Sequence, residues 1–376
     1  MTVSPSALGM VMAAFEENFS HRAEIGASVN IWCNGQEILC LAKGWTDRHH
    51  SKRWTQHTLV PVYSATKPLA AACLLMALEM HGLDETTAVC EVWPQFPNKK
   101  ARFAELLSHQ CGLAALDQKA DVFLHDEVVA AIEAQAPAWE LGAGHGYHPR
   151  SFGALVEEPL RRLTGIKLGD FWRKNLADPL ELDFWIGLPE EQWPRVAKLQ
   201  PARMDPNAPT CRFYQERQKA ESYTRRAFQS PQGLNAIQDM NDPMPWAAGL
   251  PAMGGIGTAR SLAKFYQAAI GALPSPLSVN VRRAIATTQI DGDDLVLLEK
   301  TAFTCGAQKD PLSASGEKLR ELYGPSHDAF GHPGAGGGHA FGDPEHGISF
   351  AYTMNHMQLT VMPGVKCHSM VEALYS

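Results

Sequence analysis

Residues 63–81, YSATKPLAAACLLMALEMH, constrain the fold more than any other stretch of the chain. Leu, Ala and Met, all good helix formers, dominate the segment. Pro68 falls in the first turn, where a missing N–H costs least, and Gly82 follows the last turn as a C-cap. The pattern predicts one helix over 63–81 with Ser64 at or beside its N-terminus. The run LAAACLLMALEM offers almost no polar face, so this helix belongs inside the protein. Lys67 at its start is then taken out of water.

Ser64 and Lys67 stand three residues apart, which places them on one helix face with Cβ atoms roughly 5–6 Å apart. A serine hydroxyl is a weak nucleophile and needs an adjacent base. A desolvated lysine has a lowered pKa and can serve as that base. The first turn of a helix also offers unpaired N–H groups that can receive a developing oxyanion. Serine and lysine at this spacing also suit a bland arrangement, an N-cap serine followed by a surface lysine.

The rest of the chain reads as strands, a helical middle, and strands again. Residues 5–21 carry Ala7, Met10, Val11, Ala14 and Phe15 at helical spacing. ASVNIWC (27–33) and EILCLAKG (37–44) flank Asn34-Gly35, a strong hairpin signal. Helical patterns over 130–137, 151–165 and 259–271 follow, with an irregular polar stretch from 200 to 245. LLSHQCGL (106–113) reads as a helix end capped by Gly112. HGISFAYTMN (346–355) and LTVMPG (359–364) read as strands, preceded by the glycine-rich GHPGAGGG of 331–338. The fold class expected is α+β: an antiparallel sheet built from both chain ends and flanked by helices, plus a mostly helical second domain. Residues 1–84 and 250–376 would form the first domain and 85–249 the second, with the active site between them.

Several functions are disfavoured. The net charge is −7 with no basic stripe, so neither nucleic acid nor an anionic membrane surface is an expected partner. No stretch reaches the ~18 apolar residues of a membrane span, and the start of the chain reads as an amphipathic helix, so a cytoplasmic protein is expected. The eight cysteines show no CxxC spacing and read as free thiols. GHPGAGGG lacks the Lys-Ser/Thr ending of a phosphate loop, and the chain has neither HExxH nor G-x-S-x-G. No cofactor and no metal are expected.

The segment 58–81, with its Ser64-Ala65-Thr66-Lys67, resembles the serine β-lactamase and penicillin-binding protein superfamily. LLSHQCGL, WELGAGHGYHPRSFGALVEEPLRRLTG (139–165), PAMGGIGTARSLAKFY (251–266) and His332-Pro333-Gly334-Ala335 are similar, in order, to further segments of that group, closest to its family VIII carboxylesterases. The resemblance implies Ser64 as nucleophile with Lys67 and Tyr147 as proton-transfer partners, Tyr147 being held as a phenolate or sharing a proton with Lys67. It implies an oxyanion site between the N–H groups of Ser64 and Ala335. His332 would stand where lactamases carry a lysine, with Gly334 letting the strand approach the substrate. Pro149 stands where a lactamase would carry an asparagine, which disfavours efficient lactam hydrolysis, and neutral histidine in place of the lysine favours neutral esters over carboxylated lactams. A small carboxylic ester is the expected substrate, its pocket walled largely by 200–250 and by aromatics such as Trp246. A β-lactamase, a D-amino-acid peptidase or an acyltransferase would share the scaffold, and a scaffold that has lost catalysis is the alternative of another kind.

Overall fold

The computed structural model describes residues 3–201 and 212–376. Helix α1 (Pro5–His21) is capped by Ser4, whose side chain accepts from the Ala7 N–H at 3.0 Å. Strands β1 (Gly26–Cys33) and β2 (Gln36–Gly44) form the expected hairpin. Its turn residues Asn34 and Gly35 both adopt positive φ, which an Asn-Gly turn supplies at low cost. Chain order continues with β3 (Val60–Pro61), α2 (Lys67–Met80), α3 (Phe152–Thr164), β4 (Phe184–Ile186), β5 (Gly255–Gly257) and α4 (Ala259–Ala269). The later strands are β6 (Ile290–Asp293), β7 (Lys300–Phe303), β8 (Gln308–Lys309), β9 (Phe330–Pro333), β10 (His339–Asp343) and β11 (Ile348–Met354), followed by α5 (Val365–Leu374).

The strands join in one eight-stranded antiparallel sheet, β2-β1-β11-β10-β9-β8-β7-β6. The fold class is therefore α+β with a sheet drawn from both chain ends, and β1 beside β11 is the seam between them, in register from Ala27 with Met354 to Cys33 with Ile348. Every residue of β1 is buried, which requires cover on both faces. Helix α4 packs on β1, β10 and β11, while α1 pairs with α5 and also meets β2. Helix α2 is buried from Lys67 to Leu78 and lies against α3 and β9. Among the described residues no helix is long and apolar enough to cross a membrane.

A second sheet of three short strands, β3-β5-β4, sits beside the start of α2. Its strand β4 comes from within residues 85–249 and pairs with β5. A Cβ on Gly257 would lie 2.3 Å from the Phe184 ring, so glycine is what lets Phe184 lie over β5.

Three local expectations are corrected. LTVMPG forms no strand. Gln358 and Thr360 instead bond the loop after β9, Gln358 N–H donating to Gly336 O at 2.7 Å and Gly336 N–H to Thr360 O at 3.0 Å. The helix before Gly112 ends at Leu107, and Gly112 turns the chain with positive φ where a Cβ would lie 2.9 Å from the Ala138 nitrogen. The stretch 200–245 carries short helices at Arg212–Gln218 and Tyr223–Gln229. Residues 202–211 of it, Cys211 included, lie outside the described residues. Among the described residues the other seven cysteines form no disulfide.

Candidate active site

A single turn of 3₁₀-helix, Ser64–Thr66, leads directly into α2. Tyr63 just before it adopts φ 49° and ψ −129°, a region that costs a non-glycine residue roughly 1–3 kcal/mol. The neighbouring sheet holds this turn in place. Val62 N–H donates to Gly255 O at 2.9 Å, Thr66 Oγ1 donates to Tyr63 O at 2.5 Å, and Gly255 N–H donates to Thr66 Oγ1 at 2.9 Å. Ser64 thus projects from a fixed, sharply bent backbone into a cleft of about 180 Å³ that it helps to line.

Two buried side chains reach the Ser64 hydroxyl. Tyr147 donates its O–H to Ser64 Oγ at 2.7 Å, and Lys67 Nζ lies 3.2 Å from the same oxygen. Lys67 Nζ also donates to Pro149 O at 3.0 Å and to Ala252 O at 2.9 Å. Among the described residues no carboxylate is hydrogen-bonded to it, and burial holds its pKa well below the ordinary lysine value. A neutral amine has two N–H groups for the two carbonyls, leaving its lone pair for the Ser64 O–H. The arrangement therefore suits removal of the serine proton.

Of the two states expected of Tyr147, a phenolate or a proton shared with Lys67, burial disfavours the first. Burial raises its pKa, with Asp294 adding to the rise, and the bond to Ser64 offsets this only in part. It stands as a neutral phenol, a donor rather than an acceptor. Its ring is clamped between aromatics, parallel to Phe303 at 6.0 Å and edge-on to His109 at 5.0 Å. The backbone around it is held as firmly. Gly146 N–H donates to His109 O at 3.1 Å and His148 N–H to His109 Nδ1 at 3.2 Å, while Tyr147 N–H reaches both oxygens of Asp294 at 3.1 Å.

His332 on β9 is buried beside this group, its ring 5.9 Å from that of Tyr147. Burial and the nearby Lys67 push its pKa down to about 3, so it is neutral at pH 7. Nδ1 bonds Pro333 O at 2.8 Å. Ala335 lines the cleft together with Ser64, and among the described residues neither N–H donates to another backbone carbonyl.

Two expected substrate contacts are placed differently. A Cβ on Gly334 would meet Val62 O at 2.3 Å, so glycine there lets β9 close against the segment before Ser64, rather than against the cleft. Trp246 does not line the cleft. Its indole packs with Leu59, Leu188, Val196 and Ile256 and donates to Met240 O at 2.7 Å, supporting from behind a residue that does line it. The wall comes instead from Tyr214, Phe228, Met240 and other residues between 214 and 240, and from Met357 to Val361. Asp294 was not foreseen: it is one acidic residue in the run DGDD, and nothing local marks it.

Comparison with known proteins agrees with this fold. The profile of the family described as Beta-lactamase matches residues 12–366. Esterase/beta-lactamase LipL of Mycobacterium tuberculosis is 29% identical over 367 residues, covering 92% of this chain and 81% of LipL. A penicillin-binding protein homologue from Caulobacter crescentus superposes with a TM-score of 0.86 at 29% identity, covering 99% of this chain and 98% of the other. A family VIII carboxylesterase superposes with a TM-score of 0.85 at 28% identity, covering 100% and 98%.

Proposed function

The chain belongs to the beta-lactamase family, a family of serine hydrolases with esterases among its members, and from that premise we propose that it cleaves small carboxylic esters through an acyl-enzyme on Ser64. The observation that carries the reading is the Ser64 hydroxyl within hydrogen-bond reach of both a desolvated amine and a neutral phenol.

Neutral Lys67 takes the hydroxyl proton as Oγ bonds to the ester carbon. The oxyanion forms between the N–H groups of Ser64 and Ala335. As the carbon–oxygen bond to the alcohol breaks, Tyr147 gives its proton to the departing alkoxide, and the Lys67 ammonium restores the phenol. Water then attacks the acyl carbon, Lys67 again taking a proton, and Ser64 regains its hydrogen as the acid leaves. Pro149 and neutral His332 at positions where a lactamase would offer an amide and a cation support esters over carboxylated lactams. The apolar wall, with Phe228, Leu234, Ile237 and Met253, suits an uncharged acyl chain.

Hydrolysis of p-nitrophenyl acetate, butyrate and octanoate, with nitrocefin alongside, tests the reading. Ester turnover with little lactam cleavage supports it, and silence towards all three esters sinks it. A β-lactamase reading is favoured by one observation, the Arg217 guanidinium at the cleft, and would appear as efficient nitrocefin turnover.

The same reading predicts the effect of Gly334→Ala. Its new methyl would collide with Val62 O and push Ala335 away from Ser64. The expected result is a fall of about 10²–10³-fold in kcat for p-nitrophenyl butyrate, the usual cost of one oxyanion donor. An unchanged kcat would remove Ala335 from the oxyanion site.

A further inference from the structure

Asp294 is a buried carboxylate with no lysine or arginine paired to it among the described residues. Two other buried carboxylates pair with a lysine, Glu24 with Lys366 at 3.0 Å and Asp310 with Lys318 at 2.9 Å, while Asp343, like Asp294, has only a histidine as a basic neighbour among the described residues. The basic group closest to Asp294 in the ion-pair geometry is His145, with Nε2 at 4.0 Å. Burial pushes the His145 pKa down to about 4, so it adds no charge at neutral pH. The Asp294 charge is instead held by neutral donors. Oδ1 accepts from Val296 N–H at 2.8 Å and Leu297 N–H at 2.7 Å, Oδ2 from the Thr301 hydroxyl at 3.1 Å, and both oxygens from Tyr147 N–H. Burying an ion without a counter-ion is costly and persists where the surrounding structure enforces it.

That cost is placed at one spot in the chain. The turn between β6 and β7 is far in sequence from Tyr147, and Asp294 ties the two together, with Leu295 N–H donating to His145 O at 3.0 Å and His145 Nε2 bonded to Thr301 Oγ1 at 2.7 Å. The flanking N–H groups of Gly146 and His148 are already taken by His109, and the phenol ring lies flat along Phe303. The N–H of Tyr147 itself bonds the Asp294 carboxylate, which opposes a shift of this backbone relative to Ser64. A hydroxyl that must pass a proton across 2.7 Å is sensitive to such a shift.

We propose that Asp294 is a positioning residue, which acts through the Tyr147 backbone to hold the phenol where it can protonate the departing alcohol. The inference rests on the esterase reading above. Its pKa is raised by burial to about 6, the N–H and hydroxyl donors opposing the rise, so Asp294 is a carboxylate under ordinary assay conditions.

The test compares two butyrate esters in Asp294→Asn. Asparagine keeps the size but replaces one acceptor with an N–H₂ that faces other donors. Nitrophenolate departs as a stable anion and needs no proton, whereas ethoxide must receive one. Values of kcat/KM report acylation alone for both substrates. The expected result is a fall of about 10²-fold for ethyl butyrate and less than about 5-fold for p-nitrophenyl butyrate. Tyr147→Phe serves as the benchmark and should show the same split, more strongly. A lesion that merely loosened the fold would lower both esters alike. Equal losses, or none, in Asp294→Asn beside a clear split in Tyr147→Phe overturn the role of Asp294 and leave the esterase reading standing. No split in Tyr147→Phe overturns the acid role of Tyr147 and the positioning role of Asp294 with it, and no ester turnover by the unsubstituted protein overturns the esterase reading as well. If circular dichroism shows Asp294→Asn unfolded, Thr301→Val replaces it. That change strips one donor from the carboxylate and the partner of His145 Nε2 with it, and a split of about 10-fold is expected, equal losses again overturning the proposal.

Discussion

Ser64→Ala is expected to lower kcat for every ester by roughly 10⁵–10⁶-fold, the scale seen when the nucleophile of a serine hydrolase is removed. The alanine methyl leaves Lys67 and Tyr147 facing each other with no oxygen between them that can bond to carbon. Any residual rate would come from the oxyanion donors and binding alone. Helix α2 is anchored by its buried apolar run, and Ser64 only half-faces the interior, so the variant should keep its fold. The measurement is p-nitrophenyl butyrate hydrolysis together with fluorophosphonate labelling. A variant that stays within 100-fold of the original, or is still labelled, would remove Ser64 from the chemistry.

Lys67→Met should cost about 10³–10⁴-fold, and Lys67→Arg no less. Methionine fits the buried site but has no lone pair of comparable basicity, and arginine cannot be deprotonated at any useful pH. The two variants together separate a general base from a fixed positive charge. If Lys67→Arg kept more than about a tenth of the activity, the cation would matter and the base would not. The pH dependence carries the same information. A lysine at 10.5 would be neutral in only about one molecule in 3,000 at pH 7. Burial lowers the folded value, so the acid limb of kcat/KM should lie well below pH 10.5, and no such limb should remain in Lys67→Met. Stability follows the same shift. Between the lowered folded pKa and 10.5 the unfolded chain binds the extra proton, so the contribution of Lys67 to stability is present above 10.5 and is lost as pH falls through the folded value. Thermal melts of the Lys67→Met protein should therefore change less with pH across that window.

The sequence was most legible where chemistry depends on local spacing. Ser64 and Lys67 announce themselves because a helix start and an apolar run are written in consecutive residues, and Asn34-Gly35 marks its hairpin for the same reason. Contacts made across the fold were less visible. Trp246 looked like a wall residue because it is an aromatic in a proline-rich stretch, yet its direction is set by Leu59 and Ile256, remote in sequence. LTVMPG has the composition of a strand, but the glycine loop after β9 binds it at two points and offers no ladder. The protonation of Tyr147 depends on how completely it is enclosed, and Phe303 and His109, which enclose it, carry no signal that associates them with residue 147. Asp294 stayed hidden because a buried acid and a solvated one look the same in a row of letters.

The seam between β1 and β11 has a consequence for how such a protein is made. The hairpin of β1 and β2 emerges from the ribosome before β11, with one edge of β1 unpaired, and its partner is more than 300 residues downstream. Pairings this distant are slow to close, and an unfilled strand edge invites association with other chains. Ser64 and Lys67 are likewise synthesised long before Ala335. Nascent chains should therefore carry no hydrolytic activity until β11 has been translated, and their yield in the cell should depend on chaperones that shield that waiting edge.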